Sequence, residues 1–446
     1  MAGTIALTEW GSAGPEERAR LIGRPEGALK MFDPELSRSV GEIVLDVKEN
    51  GDDAIVRALS RFDGCEVEPD RIRVSEEEFE RARAGIDPDL AAAIRVGIDN
   101  VRSFSERAIA DLDWREEIAE GLVVGEKATP IESAGLFVPS GKGSYPSVLI
   151  QIGAPAVTAK VANIAVVVPP VAGGGGEVDP GVLFVASELG ISDVFRVNGP
   201  AGIAALAFGT ETVPQVLQVV GPGSPPVSAA QIECQRYGCV TRMVLGPSES
   251  VIVADRTADR ELLAADLLNE AEHGPDSASV LVTDSRELIE EVEEPLARRL
   301  AELPEPRREY AAKALANGGA ILTSDLAETA EVANQFAPEH LQVAVAEERE
   351  EEMIGMLVNA GEILVGQQTP IAAANYVLGV PAALPTGRFA RVSSGITAET
   401  FLKKASIAKA SQAALARLAD SIVVLAEHEG FPAHAEAVRA RAASRD

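Results

Sequence analysis

Histidine is scarce in this chain of 446 residues: there are four, and all of them lie beyond residue 272. Cysteine is rarer still. Cys65, Cys234 and Cys239 are an odd number in a long chain, which argues against a disulfide frame and for reduced thiols in a cytoplasm. No further Cys/His pair lies near Cys234 and Cys239 in sequence, so a zinc knuckle is not expected there. Positive charge is also in short supply. Forty Lys+Arg against 69 Asp+Glu leave a net charge of −29, which repels a phosphate backbone and excludes nucleic acid as a natural partner. Long apolar runs are missing: Ile164 to Val168 stops at Pro169-Pro170, far short of the ~18 residues of a membrane span. The N-terminus, Met1-Ala2-Gly3-Thr4, has neither a basic region nor an apolar one, so no secretory leader is expected. What the chain does have is 46% apolar and 24% charged residues, enough for ordinary cores, over a length of two or three domains.

The first stretch reads as helical, with apolar residues at three- and four-residue steps in Ser37 to Glu49, Asp53 to Phe62, Glu76 to Ala84 and Pro88 to Leu112. From Ala134 short β-rich runs alternate with Ala-rich helices: Gly135 to Val138, Ile164 to Val168, Val194 to Val197 and Leu217 to Val220. A second set follows at Val251 to Val253, Val280 to Val282, Ala320 to Leu322, Gln342 to Val345 and Ile363 to Val365. The clearest helices between them are Asp259 to Glu272 and Ser285 to Ala301. Such spacing is that of βαβ units on parallel sheets. The expected fold is α/β: two tandem Rossmann-like α/β domains with a helical N-terminal segment and a helical C-terminal appendage. The expected boundaries are an N-terminal segment 1–36, a discontinuous first α/β domain 37–133 and 249–394, an inserted second one 134–248, and the appendage 395–446, without strands. The tract Gly173 to Gly176 lacks a following Lys-Ser/Thr and reads as a loop rather than a phosphate cradle.

Three of the four histidines directly follow a glutamate, at Glu272-His273, Glu339-His340 and Glu427-His428; the fourth is His434. Each is either a surface or capped histidine or part of an acid/base or metal site. Ala337-Pro338-Glu339-His340 ends a helical run and opens a strand, where neighbouring side chains can both reach a cleft, a plausible general-base arrangement. His273 closes a helix, with Glu270 three residues earlier on the same face. That is half of a divalent-metal site, and His434 is the obvious candidate for a further ligand. Gly221-Pro222-Gly223-Ser224 follows a strand and precedes the Val227 to Tyr237 helix, a geometry that can hold an anion, although the GxGxxG fingerprint is absent. Gly246-Pro247-Ser248-Glu249 reads as a turn into a strand.

Taken in order, these segments resemble the histidinol dehydrogenase family from about Gly41 to the C-terminus. The stretches that carry the resemblance are Gly135-Leu136-Phe137-Val138-Pro139, Ile203 to Thr212, Gly221-Pro222-Gly223, Gly246-Pro247-Ser248-Glu249 and Ala271-Glu272-His273. Ala337-Pro338-Glu339-His340-Leu341, Leu384-Pro385-Thr386-Gly387 and Glu429-Gly430-Phe431-Pro432-Ala433-His434 complete the set. The resemblance implies an NAD-dependent, zinc-containing enzyme that oxidises the amino alcohol L-histidinol through its aldehyde to L-histidine. By the same resemblance, His340 is the base for the alcohol proton and Glu339 activates water on the aldehyde. His273 and His434 match the two histidine metal ligands, and Ser248 and Glu429 match substrate-contacting positions.

Several positions depart from the family pattern. Glu270 stands at its glutamine ligand and Asn375 at its aspartate ligand, so an amide and a carboxylate have exchanged places with no change in summed charge. The implied metal set is therefore Glu270, His273, Asn375 and His434. The implied substrate set is Ser248, Glu270, His273, His340, Asn375, Glu429 and His434. Ala382 and Ala383 occupy a stretch where the family has a histidine. At the cofactor positions, Phe137, Ala201 and Ser224 replace a tyrosine, a glutamine and an asparagine. Three functions follow as expectations: histidinol oxidation, oxidation of another small polar alcohol as in the sulfopropanediol dehydrogenases, or a weakened relative without catalysis. A homodimer is expected, because the aromatic-poor tail from Thr397 cannot easily form its own core, and the resemblance puts His434 and Glu429 in the neighbouring subunit's site.

Overall fold

The computed structural model describes residues 4–23, 30–140, 144–242 and 246–443; Met1 to Gly3, part of the leader reading, lie outside them. In chain order the strands are β1 (Leu7–Glu9), β2 (Trp114–Ala119), β3 (Leu122–Pro130), β4 (Ser133–Phe137), β5 (Asn163–Val168), β6 (Asp193–Arg196), β7 (Gln218–Val220) and β8 (Val240–Thr241). They continue with β9 (Glu249–Ala254), β10 (Ala278–Thr283), β11 (Gly319–Leu322), β12 (His340–Ala344), β13 (Glu362–Val365) and β14 (Leu402–Ala410). Two all-parallel sheets carry the fold, one ordered β6-β5-β4-β7-β8 and the other β1-β11-β10-β9-β12-β13. Every apolar run read as a strand is one of these, so the tandem α/β expectation holds.

Each sheet is buried on both faces, which is why its strands read as unbroken apolar runs. The period of two then sorts the side chains into separate cores. Leu136, Val166 and Val194 share one core with Phe79, Ile94 and Ile98, while Phe137, Val167 and Phe195 share another with Val40, Val44 and Ile55. In the six-stranded sheet, Ile252, Leu281 and Ala344 pack on Leu263, Leu267 and Ala271, and Val251, Val280 and Val343 pack on Leu326 and Phe336.

These cores correct two expected boundaries. The helices Pro34–Ala58, Glu76–Gly85 and Pro88–Ile109 sheathe the five-stranded sheet, not the sheet formed by 249–394. The N-terminal segment is no separate piece either: β1 extends the six-stranded sheet by pairing with β11, and Trp10 and Leu21 are buried beneath it.

The strand-free tail is also wrong. Residues 402–410 form β14, paired antiparallel with β3 over its whole length, and β2 completes a three-stranded sheet that the sequence reading missed. Leu402-Lys403-Lys404-Ala405-Ser406 carries helix-favouring residues, and the ladder to β3 overrides that local preference. Beyond it the helices Gln412–His428 and Pro432–Ala443 follow as expected.

Part of the Ile203 to Thr212 stretch turns out to hold the fold. The helix Pro34–Ala58 breaks at Gly51 (φ 51°), and the buried Asp52 carboxylate accepts from Thr210 Oγ1 at 2.5 Å, from Thr212 Oγ1 and from the Thr212 N–H at 3.3 Å. The Asp52 N–H in turn donates to Glu211 Oε2 at 2.8 Å. A Cβ at Gly51 would lie 2.2 Å from that same oxygen, in a left-handed conformation. Gly51→Ala should therefore lower stability by about 1–3 kcal/mol, seen as an earlier denaturant midpoint. An unchanged midpoint would show that the 209–212 loop moves aside freely.

Candidate active site

The carboxyl edge of the five-stranded sheet faces the amino edge of the six-stranded one, and a cleft of about 350 Å³ lies between them. From the first sheet come Pro139 and Ser140 after β4 and the 222–225 turn after β7. These two strands flank the point where the strand order reverses, the place where open α/β sheets leave a crevice. From the second sheet come Ser248 ahead of β9, Ser277 ahead of β10, and Glu339-His340 at the start of β12. Glu270, His273, Asn375, Ala382 and Ala383 close the remaining wall.

Two periodicities bring the chemistry together. Along β12, His340 and Gln342 point to the face covered by the helix Arg260–Ala271. Along that helix Asp266 and Glu270 recur one turn apart on one side, and His273 follows in the turn just past its end. Gln342 Nε2 donates to Asp266 Oδ2 at 2.8 Å one turn below Glu270, a buried polar contact that fixes helix against strand. The loops are fastened as well. Buried Gln151 donates to the Ala374 carbonyl and accepts from the Ala382 N–H, and Thr386 Oγ1 accepts from the Gly246 N–H.

His340 is 2% exposed and Glu339 8%, with Glu339 Oε1 3.7 Å from His340 Nε2. Glu339 Oε2 accepts the Glu249 N–H at 3.1 Å. Burial pushes the Glu339 carboxyl up to about 8, aided by Glu270 and Glu249 and opposed by His340. Burial alone would lower the His340 imidazole, but the carboxylates of Glu339, Glu270 and Glu362 override it and hold it up at about 10. Sequence reasoning missed Glu362. It stands opposite His340 in the β12–β13 ladder, 22 residues away in sequence, with its Oε1 in hydrogen-bond contact with Nδ1. Only the strand register reveals it, so no sequence signal was available.

Glu270 lies at the inner end of a second cluster. Burial favours its neutral form, yet His273, His340 and the amides of Asn375 and Asn269 outweigh that and keep its carboxyl below the usual range. Its Oε2 is 3.6 Å from His273 Nε2, and its Oε1 accepts from Asn375 Nδ2 at 3.1 Å and Asn269 Nδ2 at 2.8 Å. Two donors bound to one zinc at about 2.0–2.2 Å sit roughly 3.3–3.6 Å apart in a tetrahedron, so this carboxylate and imidazole fit a shared ion. Asn375 adds an amide. Within one chain the set stops there: among the described residues no three His, Cys, Asp or Glu gather as a metal group. His434 and Glu429 are exposed on the tail and do not line the cleft.

The positions implied for the cofactor separate. Ser224 lines the cleft, whereas Phe137 and Ala201 are buried in the core beneath the sheet and do not. The helix after Ser224 begins Pro225-Pro226, so its first two residues have no N–H to offer an anion. What remains at this helix end is the dipole and the backbone of Gly223 and Ser224.

The comparisons with known proteins identify the family and the fold. The family model described as histidinol dehydrogenase matches residues 29–442. A histidinol dehydrogenase homolog from Colwellia psychrerythraea is 39% identical over 428 residues, covering 95% of this chain and 93% of its own. The histidinol dehydrogenase of Methanosarcina mazei is 37% identical over 426 residues and 95% of each chain. The crystal structure of histidinol dehydrogenase from Elizabethkingia anophelis superposes with a TM-score of 0.92 at 30% identity, covering 99% of this chain and 98% of that one. A cleft built on Glu339-His340, in an α/β framework matched nearly end to end, leaves one conclusion: the chain belongs to the histidinol dehydrogenase family of oxidoreductases.

Proposed function

We propose that the protein is an NAD-dependent dehydrogenase that oxidises a small polar primary alcohol through its aldehyde to the acid, with L-histidinol as the first substrate. The observation that carries this reading is the buried Glu339-His340 pair opening onto the same cleft as Glu270, His273 and Asn375. In its neutral form, His340 takes the alcohol proton through Nε2 while hydride leaves the carbon. Ionised Glu339 takes a proton from the water that adds to the aldehyde, and a second hydride then leaves. NAD supplies the hydride acceptor in both steps. Zinc bound at Glu270, His273 and Asn375 would anchor the polar end of the substrate beside the pair. A cytoplasmic setting belongs to this reading; Cys65, Cys234 and Cys239 form no disulfide, and no helix among the described residues is long and apolar enough to cross a membrane.

The fourth metal ligand, His434, and the substrate contact Glu429 would come from a second copy of the chain in a homodimer. The tail supports this. The sheet β2-β3-β14 is exposed along β2 and nearly so along β14, and Val424 and Leu425 are 64% and 61% exposed. Arg115, Lys127, Lys403, Lys404 and Lys409 outnumber Glu116, Glu117 and Glu126 on this sheet, in a protein whose net charge is −29. A second, acidic copy suits such a surface.

Elemental analysis of purified protein should find close to one zinc per chain, and Asn375→Asp should tighten binding by restoring a charged ligand. Protein that stays metal-free after reconstitution would remove the site. A second substrate reading rests on Ala382 and Ala383, which present no polar side chain to the cleft. The loss of one substrate hydrogen bond is worth about 0.5–1.5 kcal/mol, or up to roughly tenfold in KM. NADH formation on L-histidinol, sulfopropanediol and simple amino alcohols decides between them. Turnover of histidinol with a raised KM supports the first reading, and turnover of a sulfonated or neutral alcohol alone supports the second. Silence on all of them, with no NAD binding by calorimetry, would make the protein a non-catalytic relative.

A further inference from the structure

Glu362 touches the proposed base but lies behind it, on the side away from the cleft lining, and nothing in the proposed chemistry yet uses it. Its backbone N–H bonds to the Glu339 carbonyl, and its side chain rises on the face of the sheet that His340 shares. Oε1 is in hydrogen-bond contact with His340 Nδ1, while Oε2 is buried with no hydrogen-bond partner. A buried carboxylate with one oxygen unsatisfied is a net burden on the fold. A leucine there would fill the same space without that burden. The imidazole explains the carboxylate: an ionised carboxyl only accepts, so it fixes the proton on Nδ1. The bare nitrogen of neutral His340 is then Nε2, which lines the cleft side and is 3.7 Å from Glu339, too far for a hydrogen bond.

We propose that Glu362 is a positioning residue for His340. It holds the imidazole in the Nδ1–H form, aims Nε2 at the substrate alcohol, and stabilises the imidazolium formed when Nε2 takes that proton. The proton stays on His340 and is not passed on to Glu362. The same division of labour between carboxylate, imidazole and nucleophile underlies hydrolytic triads. This inference rests on the reading of His340 as the base, so its test needs one arm that turnover does not touch.

The scarcity of histidine supplies that arm, because four imidazoles give a resolvable nitrogen-15 spectrum in histidine-labelled protein. As His340 loses its proton with rising pH, the wild type should keep Nδ1 protonated and show a bare Nε2. Glu362→Leu, which removes the acceptor at similar size, should mix the two tautomers. In the kinetic arm, Glu362→Gln should lower kcat by ~10–100-fold with KM little changed, and Glu362→Leu should lower it at least as far. Circular dichroism and thermal melting confirm that both variants fold. A tautomer unchanged in folded Glu362→Leu, or wild-type kcat in both variants, would overturn the proposal. If the wild type is silent on every alcohol, the functional reading fails while the tautomer measurement still decides the role of Glu362.

Discussion

His340→Ala should lose ~10²–10⁴-fold in kcat, the usual contribution of a placed general base, with NAD affinity left in place. Glu339→Gln should separate the two oxidations: the first hydride transfer continues and the aldehyde-to-acid step slows by a similar factor. The pH dependence follows from the same geometry. His340 works as a base only when neutral and Glu339 only when ionised, and both groups titrate above their ordinary values, at about 10 and about 8. Both working forms therefore gain population as pH rises from neutral, and kcat/KM should climb on the alkaline side. The pair titrates as a unit, so the profile reports the pair rather than either residue. A loss under about tenfold in His340→Ala, or a profile that falls from neutral upward, would remove the pair from the mechanism.

The second large effect is recovery of activity. His340→Ala and His434→Ala chains should each be nearly inactive. After subunit exchange, half of the dimers are hybrids, and one of the two sites in each hybrid has both histidines intact. Mixing should thus restore roughly a quarter of the wild-type activity, the share set by two-fold symmetry. No recovery after verified exchange would show that His434 acts within its own chain or not at all. The His434 ring lies 5.1 Å from that of Phe431, centre to centre, and Phe431 is itself 50% exposed. An imidazole fixed on a half-open surface suits an interface more than a core.

The strands of both parallel sheets could be read from the chain because burial on both faces leaves unbroken runs of Val, Ile and Ala. The Glu-His pairing and the Glu270–His273 spacing were also legible, since both are local: one is adjacent, the other a helical turn. The sheet β2-β3-β14 was not, because β2 and β14 are mostly exposed, β3 is half-buried, and none of them carries a long apolar run. Its existence depends on β3 meeting a segment almost 280 residues away.

The sequence by itself determined the α/β class, the acidic surface and the two short motifs of the proposed site, because each depends on composition or on neighbours within a helical turn. The tertiary structure decided everything that depends on register and on which edges meet. It placed Glu362 behind His340, sent Phe137 and Ala201 into the core while Ser224 reached the cleft, and joined the early helices to the five-stranded sheet. It also left Glu429 and His434 outside their own chain's cleft. Pairing between distant strands is set by the packing energy of the whole sheet, and no local pattern of residues encodes it.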